Sequence, residues 1–423
     1  MSRRTETLGR LRMLPLHAER LSVGRLPRAL FRKLRGRARE VRFFHRVDDP
    51  ESLLILEGLV RLRVHVPLSI ELIVVPEPSA DFDPEPARSM ARKRRDAHEL
   101  SIRHGLEPLP ETIEAPPPAR VRMIQATLLA AEAKEERLVL ASELGRALFR
   151  DDGERIAEAA RDLPPLSSLD LRLTLEANYK RLRSDGFYEG ACFSSESERF
   201  IGVESLGDFE ARVRGIDEPE RSPARHRRPG PFVRQRVVFL GSLERASDAM
   251  GFLALHPHRD SLELHAELIR PFRFEGMRVP EERLERDRRE AFEFARRAGL
   301  RFGPFHEQNE LGMARAHALF ALGRDQGNAV DLLATIYRAI WLEARDFSSE
   351  GDLMRVASDA ALGEEIAREA VARSGEPGLM PPLATERLEE LELPEGPVFC
   401  GQGFAYSGLD RFPLLMARLS RTS

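Results

Sequence analysis

Two helix starts hold the residue types that could do chemistry in this 423-residue chain. The first reads Asp49-Pro50-Glu51-Ser52 and follows Val41-Arg42-Phe43-Phe44. The second reads Arg245-Ala246-Ser247-Asp248 and follows Val237-Val238-Phe239-Leu240. A helix N-terminus presents unpaired N–H groups and the positive end of the dipole, so an anion or nucleophile placed there is stabilised. Ser52, Ser242 and Ser247 supply hydroxyls and Arg245 a cation, but neither start holds a thiol. Asp49 reads as an N-cap, with Pro50 in the first turn where its missing N–H has no partner to lose. Arg245 faces the wrong end of the dipole, so it either pairs with an acid or helps to hold an anion such as a thiolate or carboxylate.

Other candidates carry less. Cys192 and Cys400, the two cysteines, are far apart and in no CxxC spacing. They exclude a disulfide framework and a cysteine zinc site, and fit a reducing cytoplasm. His45, His256, His258 and His306 fall in no metal-ligand spacing, so no metal is expected. Trp341 continues the helical apolar series Leu333, Ile336, Tyr337, Ile340 and reads as core. Gly401-Gln402-Gly403 lies between two expected strands and reads as a hairpin turn.

The elements that position the two starts repeat along the chain. Val41–Val47 and Leu68–Val75 read as buried strands around a helix; a charged helix follows over 87–104, then helical patterning over about 119–184. Tyr188–Phe193 and Glu198–Ile201 form a candidate hairpin before a closing helix over about 203–214. The second half repeats the order, with strands near 236–242 and 261–269, a charged helix over 281–298 and a helical block over about 308–374. Strands near 397–400 and 403–407 and a last helix from Gly408 close it. Matched positions are offset by 196 residues at the start and 206 at the end, and a repeat this long means two domain copies. The expected organisation is a basic extension over 1–39 and a first domain over 40–215, with its helical insertion at about 87–184. A Pro/Arg-rich linker over 216–235 leads to a second domain over 236–420, with its insertion at about 281–390. A β-α-β unit and a β-β-α unit around inserted helices make a mixed sheet, an α/β fold.

Composition bounds the rest. The net charge of −3 gives no global pull toward nucleic acid or membrane. No apolar run approaches a membrane span, so no span is expected. The basic extension reads as a surface arm, with a scaffold or RNA-associated role as an alternative that the scarcity of aromatic residues argues against.

Four stretches resemble a known family. They are Val41–Leu54, Arg270–Phe305 with its G-x-x-F-G turn, Asn309–Gly363, and Gly408-Leu409-Asp410-Arg411. Their order is similar to that of the DsbA-like thioredoxin fold, and within it to the kappa-class glutathione transferases and 2-hydroxychromene-2-carboxylate isomerases. The resemblance implies two such domains in tandem, arranged as an intramolecular pseudo-dimer, and marks the two helix starts as the windows where relatives carry a redox CxxC or a serine that holds glutathione. With no cysteine in either window, thiol–disulfide exchange there is excluded. The family's cis-proline would correspond to Pro397, after Gly396, in the second copy and to Ala191 in the first. Asp410, with Arg411 beside it, would meet the γ-glutamyl ammonium of glutathione, where the first copy has Glu204-Ser205; Asn309 matches a position near the substrate cleft, and capping explains it as well. The resulting expectation is a protein that binds a thiol, peptide or small acid in the second cleft through Ser242, Arg245, Asn309, Gly396, Pro397, Asp410 and Arg411. The alternative is a glutathione-dependent transferase or isomerase, with glutathione as the one cofactor the resemblance admits.

Overall fold

The structure, a computed structural model, describes Met13 and residues 38–80, 82–83, 85–131, 134–161, 166–196, 198–215, 235–270, 281–326, 329–382, 388–394 and 396–420. All but three residues of the basic extension, the linker through 234, and part of the approach segment, 271–280, lie outside these residues. The chain divides into a first unit, Val23–Glu220, and a second made up of Met1–Ser22 and Arg221–Ser423.

In the first unit, strand β1 (Arg39–His45) leads into helix α1 (Pro50–Arg63) and returns as β2 (Leu68–Val74). β2 runs parallel to β1, with Arg39 opposite Leu68 and His45 opposite Val74. Helices α2 (Pro86–Arg103), α3 (Pro118–Ala130), α4 (Lys134–Phe149), α5 (Gly153–Arg161) and α6 (Ser168–Ser184) follow. The hairpin β3 (Cys192–Ser195) and β4 (Glu198–Ile201) and helix α7 (Ser205–Arg214) complete the unit. The sheet order is β2-β1-β3-β4, with β3 antiparallel to β1. The sheet is covered on both faces, since consecutive residues of β1 and all of β3 are buried, and Phe193 of β3 stacks on Phe200 of β4, with Phe209 of α7 edge-on to both.

The second unit uses the same plan. Strand β5 (Gln235–Gly241), helix α8 (Ala246–Leu255) and strand β6 (Leu262–Leu268) form its parallel half. Helices α9 (Glu281–Arg297), α10 (Glu310–Gly323), α11 (Ala329–Trp341), α12 (Glu350–Asp359) and α13 (Glu364–Ala372) are inserted. The hairpin β7 (Val398–Gly401) and β8 (Phe404–Ser407) and helix α14 (Phe412–Ser420) close it. The order β6-β5-β7-β8 repeats that of the first sheet. Corresponding residues meet across it, since Phe44 faces Cys192 and Leu240 faces Val398. The last helix expected from Gly408 starts later, because Leu409–Arg411 forms a 3-10 turn first.

Two buried close approaches tie the closing elements to the first helix of each unit. A Cβ on Gly58 would come within 2.5 Å of Leu206, and one on Gly251 within 3.1 Å of Pro397 and 3.2 Å of Leu409. Each glycine lets α1 or α8 lie directly against the chain that follows the hairpin or precedes it.

Candidate functional site

In both units the strand-to-helix turn is tied by one repeated bond. The Arg46 N–H donates to Ser52 Oγ at 3.0 Å, and the Ser242 N–H donates to Asp248 Oδ2 at 2.7 Å. Ser52, the hydroxyl expected at the fourth window position, is therefore spent on holding the turn, and its side chain is fully buried.

Around the first window every charge is compensated from within. Asp49 caps α1 by accepting the Glu51 N–H at 2.9 Å. Lys93, from the middle of α2, donates to Asp49 Oδ2 at 2.6 Å and to Glu189 Oε2 at 3.3 Å, with only 6% of its surface exposed. Arg46 forks onto Asp48 at 2.8 and 2.9 Å. Burial alone would depress the Lys93 ammonium, but the carboxylates of Asp49, Glu189 and Glu51 outweigh it and raise its pKa. His45 lies 2.9 Å from Ser52 Oγ through Nδ1; burial drives its pKa down to about 4 against the pull of Asp49 and Asp48, so the ring is neutral at pH 7. With Asp49, Glu51 and Ser52 at most 2% exposed, nothing in this window reaches solvent to react.

The second window is closed differently. Arg245 occupies the N-cap position of α8 without a side-chain cap bond. The cap comes from α9: Asp287 Oδ2 accepts the N–H groups of Ala246 at 2.8 Å and Ser247 at 3.3 Å. Its Oδ1 accepts the Ser247 hydroxyl in a short bond and Nε and Nη2 of Arg245 at 3.3 Å each. Of the two courses open to it, Arg245 takes the first, pairing with an acid. Beneath the turn, the Ser242 carbonyl accepts Tyr337 OH at 3.2 Å and the Leu243 carbonyl accepts Trp341 Nε1 at 3.4 Å. Burial, and then Asp248, push the Tyr337 phenol well up, which keeps it a neutral donor.

Ser242, Arg245, Ala246, Ser247 and Asp248 therefore meet at one place, but Ser242 is 1% exposed and its Oγ accepts the Glu244 N–H at 3.0 Å. Gly396, Pro397, Asp410 and Arg411 form a second group, joined by the Gly408 N–H bond to the Pro397 carbonyl at 2.9 Å. The cis-proline expectation fails: among the described residues the cis peptide bond is Gly303–Pro304, and Gly396–Pro397 is trans. Gly396 there has a φ of 147°, which glycine tolerates without the Cβ clash that L residues meet. At the matching place in the first unit, Ala191 is left-handed, at φ 58°, with its N–H on the Phe44 carbonyl. Arg411 is fully buried and donates to Asp410 Oδ2 at 2.8 Å, so it positions Asp410, whose side chain is 34% exposed. In the first unit Glu204 is instead paired with Arg103 at 3.1 Å. Asn309 caps α10 by accepting the Gly312 N–H at 2.8 Å, apart from both groups.

Reading the sequence did not single out Lys93 or Asp287. The signal was present, since both sit within the charged helix that follows the second strand and their signs reverse together with those of Asp49 and Arg245. Cys192 and Cys400 are both buried and unbridged, and no group of His, Cys, Asp or Glu that could hold a metal occurs among the described residues. Nor is any described helix long and apolar enough to cross a membrane.

No family model and no curated protein matches the chain. Solved structures resemble part of it. A probable DsbA oxidoreductase from Streptomyces coelicolor is 20% identical over 44% of this chain and 89% of its own, with a TM-score of 0.32. A 2-hydroxychromene-2-carboxylate isomerase is 14% identical over 44% of this chain and 95% of its own, with a TM-score of 0.33. The cytosolic disulfide reductase DsbM from Pseudomonas aeruginosa, solved with GSH, is 18% identical over 44% and 99%, with a TM-score of 0.30.

Proposed function

We propose that this chain is a tandem of two DsbA-like thioredoxin-fold units in which neither window exchanges disulfides, and that the second window binds a small acid or peptide carboxylate in place of Asp287. The repeated strand order, the repeated turn bond and the order of the four sequence stretches support the tandem reading. The observation that carries the binding reading is the four-group cradle on α8. Two backbone N–H groups, the Ser247 hydroxyl and the Arg245 guanidinium already hold a carboxylate, which another helix supplies. Such a cradle combines the helix dipole with charge-assisted bonds, the ordinary means of holding an anion at a helix start. Asp410, partly exposed on the turn that packs over Gly251 of the same helix, offers an acceptor for a ligand ammonium.

The test is a calorimetric titration of glutathione, with insulin disulfide reduction measured alongside. Saturable binding is expected, about tenfold tighter in Asp287→Ala and lost in Arg245→Ala, with no reduction above buffer. Binding that ignores Arg245→Ala, or reduction of insulin, would overturn the reading.

A further inference from the structure

The first unit has a cavity remote in character from either window. It measures about 260 Å³ and lies against β2, the edge strand of its sheet, where α3, α4 and α6 contribute the facing wall. Leu72, Ile73 and Leu129 supply its apolar lining, and Glu71, Arg137, Thr174, Asn178 and Arg181 its polar lining. This is smaller than the ~300–1,000 Å³ of sites for drug-sized molecules, so its occupant is small.

Charge in the cavity does not cancel. Arg181 Nη2 is paired with Glu71 Oε1, also in the lining, at 2.7 Å. Arg137 has no acidic partner among the described residues: its Nε donates at 3.1 Å to the Ala131 carbonyl, which Nη2 also contacts. A guanidinium has five N–H donors, so three on the half-buried Arg137 are left for solvent or a ligand. The Asn178 amide is anchored by its Nδ2 bond to the Val74 carbonyl at 2.8 Å, and the Thr174 hydroxyl adds a donor that can turn toward an oxygen. Two cations against one carboxylate leave one positive charge facing a small apolar wall.

We propose that this cavity is a binding site for a small monocarboxylate with a short apolar group. The carboxylate takes charge-assisted bonds from Arg137, seconded by Thr174, and the apolar group lies on Leu72 and Leu129. No window residue takes part, so the site stands or falls apart from the cradle on α8.

Calorimetric titration of the full chain with sodium benzoate, beside butylamine and inorganic phosphate, tests it. Benzoate should saturate, butylamine should not bind, and phosphate should bind at least tenfold more weakly because it gains nothing from the leucines. These titrations are read in the Arg245→Ala chain, where the cradle on α8 takes no carboxylate; there a further Arg137→Ala should weaken benzoate at least tenfold and Thr174→Val severalfold. Thr174→Val, a volume-conserving change at a half-buried helix position, keeps the test open should Arg137→Ala fail to fold. The proposal is overturned if benzoate does not saturate in the Arg245→Ala chain, if phosphate matches it, or if both cavity variants bind normally.

Discussion

The starts of α1 and α8 place the same pair of charges in opposite hands. In the first unit the helix brings the acid, Asp49, and α2 brings the cation, Lys93. In the second the helix brings the cation, Arg245, and α9 brings the acid, Asp287. What does not change is the carboxylate on the helix N-terminus, because the dipole and the unpaired N–H groups favour an anion there whichever element supplies it. The difference lies in how the carboxylate is attached. Asp49 belongs to the turn it caps and cannot be exchanged for a ligand without rebuilding that turn. Asp287 comes from across the fold, on a pair whose side chains are 22% and 12% exposed, as the proposed exchange for an external carboxylate requires. Burial separates the pairs further, since Lys93 and Asp49 are 8% and 1% exposed.

That comparison can be broken or sharpened by substitution, most severely at Lys93. Lys93→Met leaves Asp49 and Glu189 without their buried cation and should cost the first unit about 3–5 kcal/mol, the usual penalty for orphaning a buried charge. Arg245→Met should cost the second unit under about 1 kcal/mol, because Asp287 keeps its two N–H groups and hydroxyl. Urea unfolding followed by hydrogen exchange in α1 and α8 reads both, and equal losses would erase the asymmetry.

A pH effect should come next, carried in the first unit by His45. His45 takes up its proton near pH 4 when folded and near 6.5 when unfolded. Between these values the unfolded chain binds more protons, so stability is full above about 6.5 and falls as the pH drops toward 4. The loss approaches about 3 kcal/mol. Thermal or urea unfolding at pH 7 and pH 4.5 checks it, and His45→Asn should flatten the dependence.

Asp287→Ala should cost the second unit about 1–2 kcal/mol, the value of a helix cap plus a partly exposed ion pair. Trp341, the single tryptophan, donates to the Leu243 carbonyl in the adjoining turn, so its fluorescence reports that unfolding. The smallest effect belongs to Asn309→Ala, about 1 kcal/mol from a lost cap, with carboxylate binding unchanged. A change in binding there would return Asn309 to the site.

Much of this frame was legible in the sequence because it rests on local rules. Apolar runs marked the strands, Pro50 and Asp49 the start of α1, and the Gly401-Gln402-Gly403 turn the second hairpin. What escaped was set by distance along the chain. Lys93 lies 44 residues from Asp49, and Asp287 lies 42 from Arg245, and no periodicity links partners across an intervening strand and loop. By sequence Ser242 reads as a ligand contact because hydroxyls near a helix start suit that role, whereas tertiary packing encloses it beneath Tyr337. Pro397 failed as a cis-proline for a similar reason, since sequence gives the residue and not its isomer.

On the proposed reading the carboxylate on α8 is replaceable while the one on α1 is not. Titrating acetate into the wild-type chain, Asp287→Ala and Lys93→Met while following Trp341 fluorescence tests it most directly. A saturable response at least tenfold tighter in Asp287→Ala than in the other two is the predicted result. A folded Asp287→Ala protein whose Trp341 signal ignores acetate would contradict it.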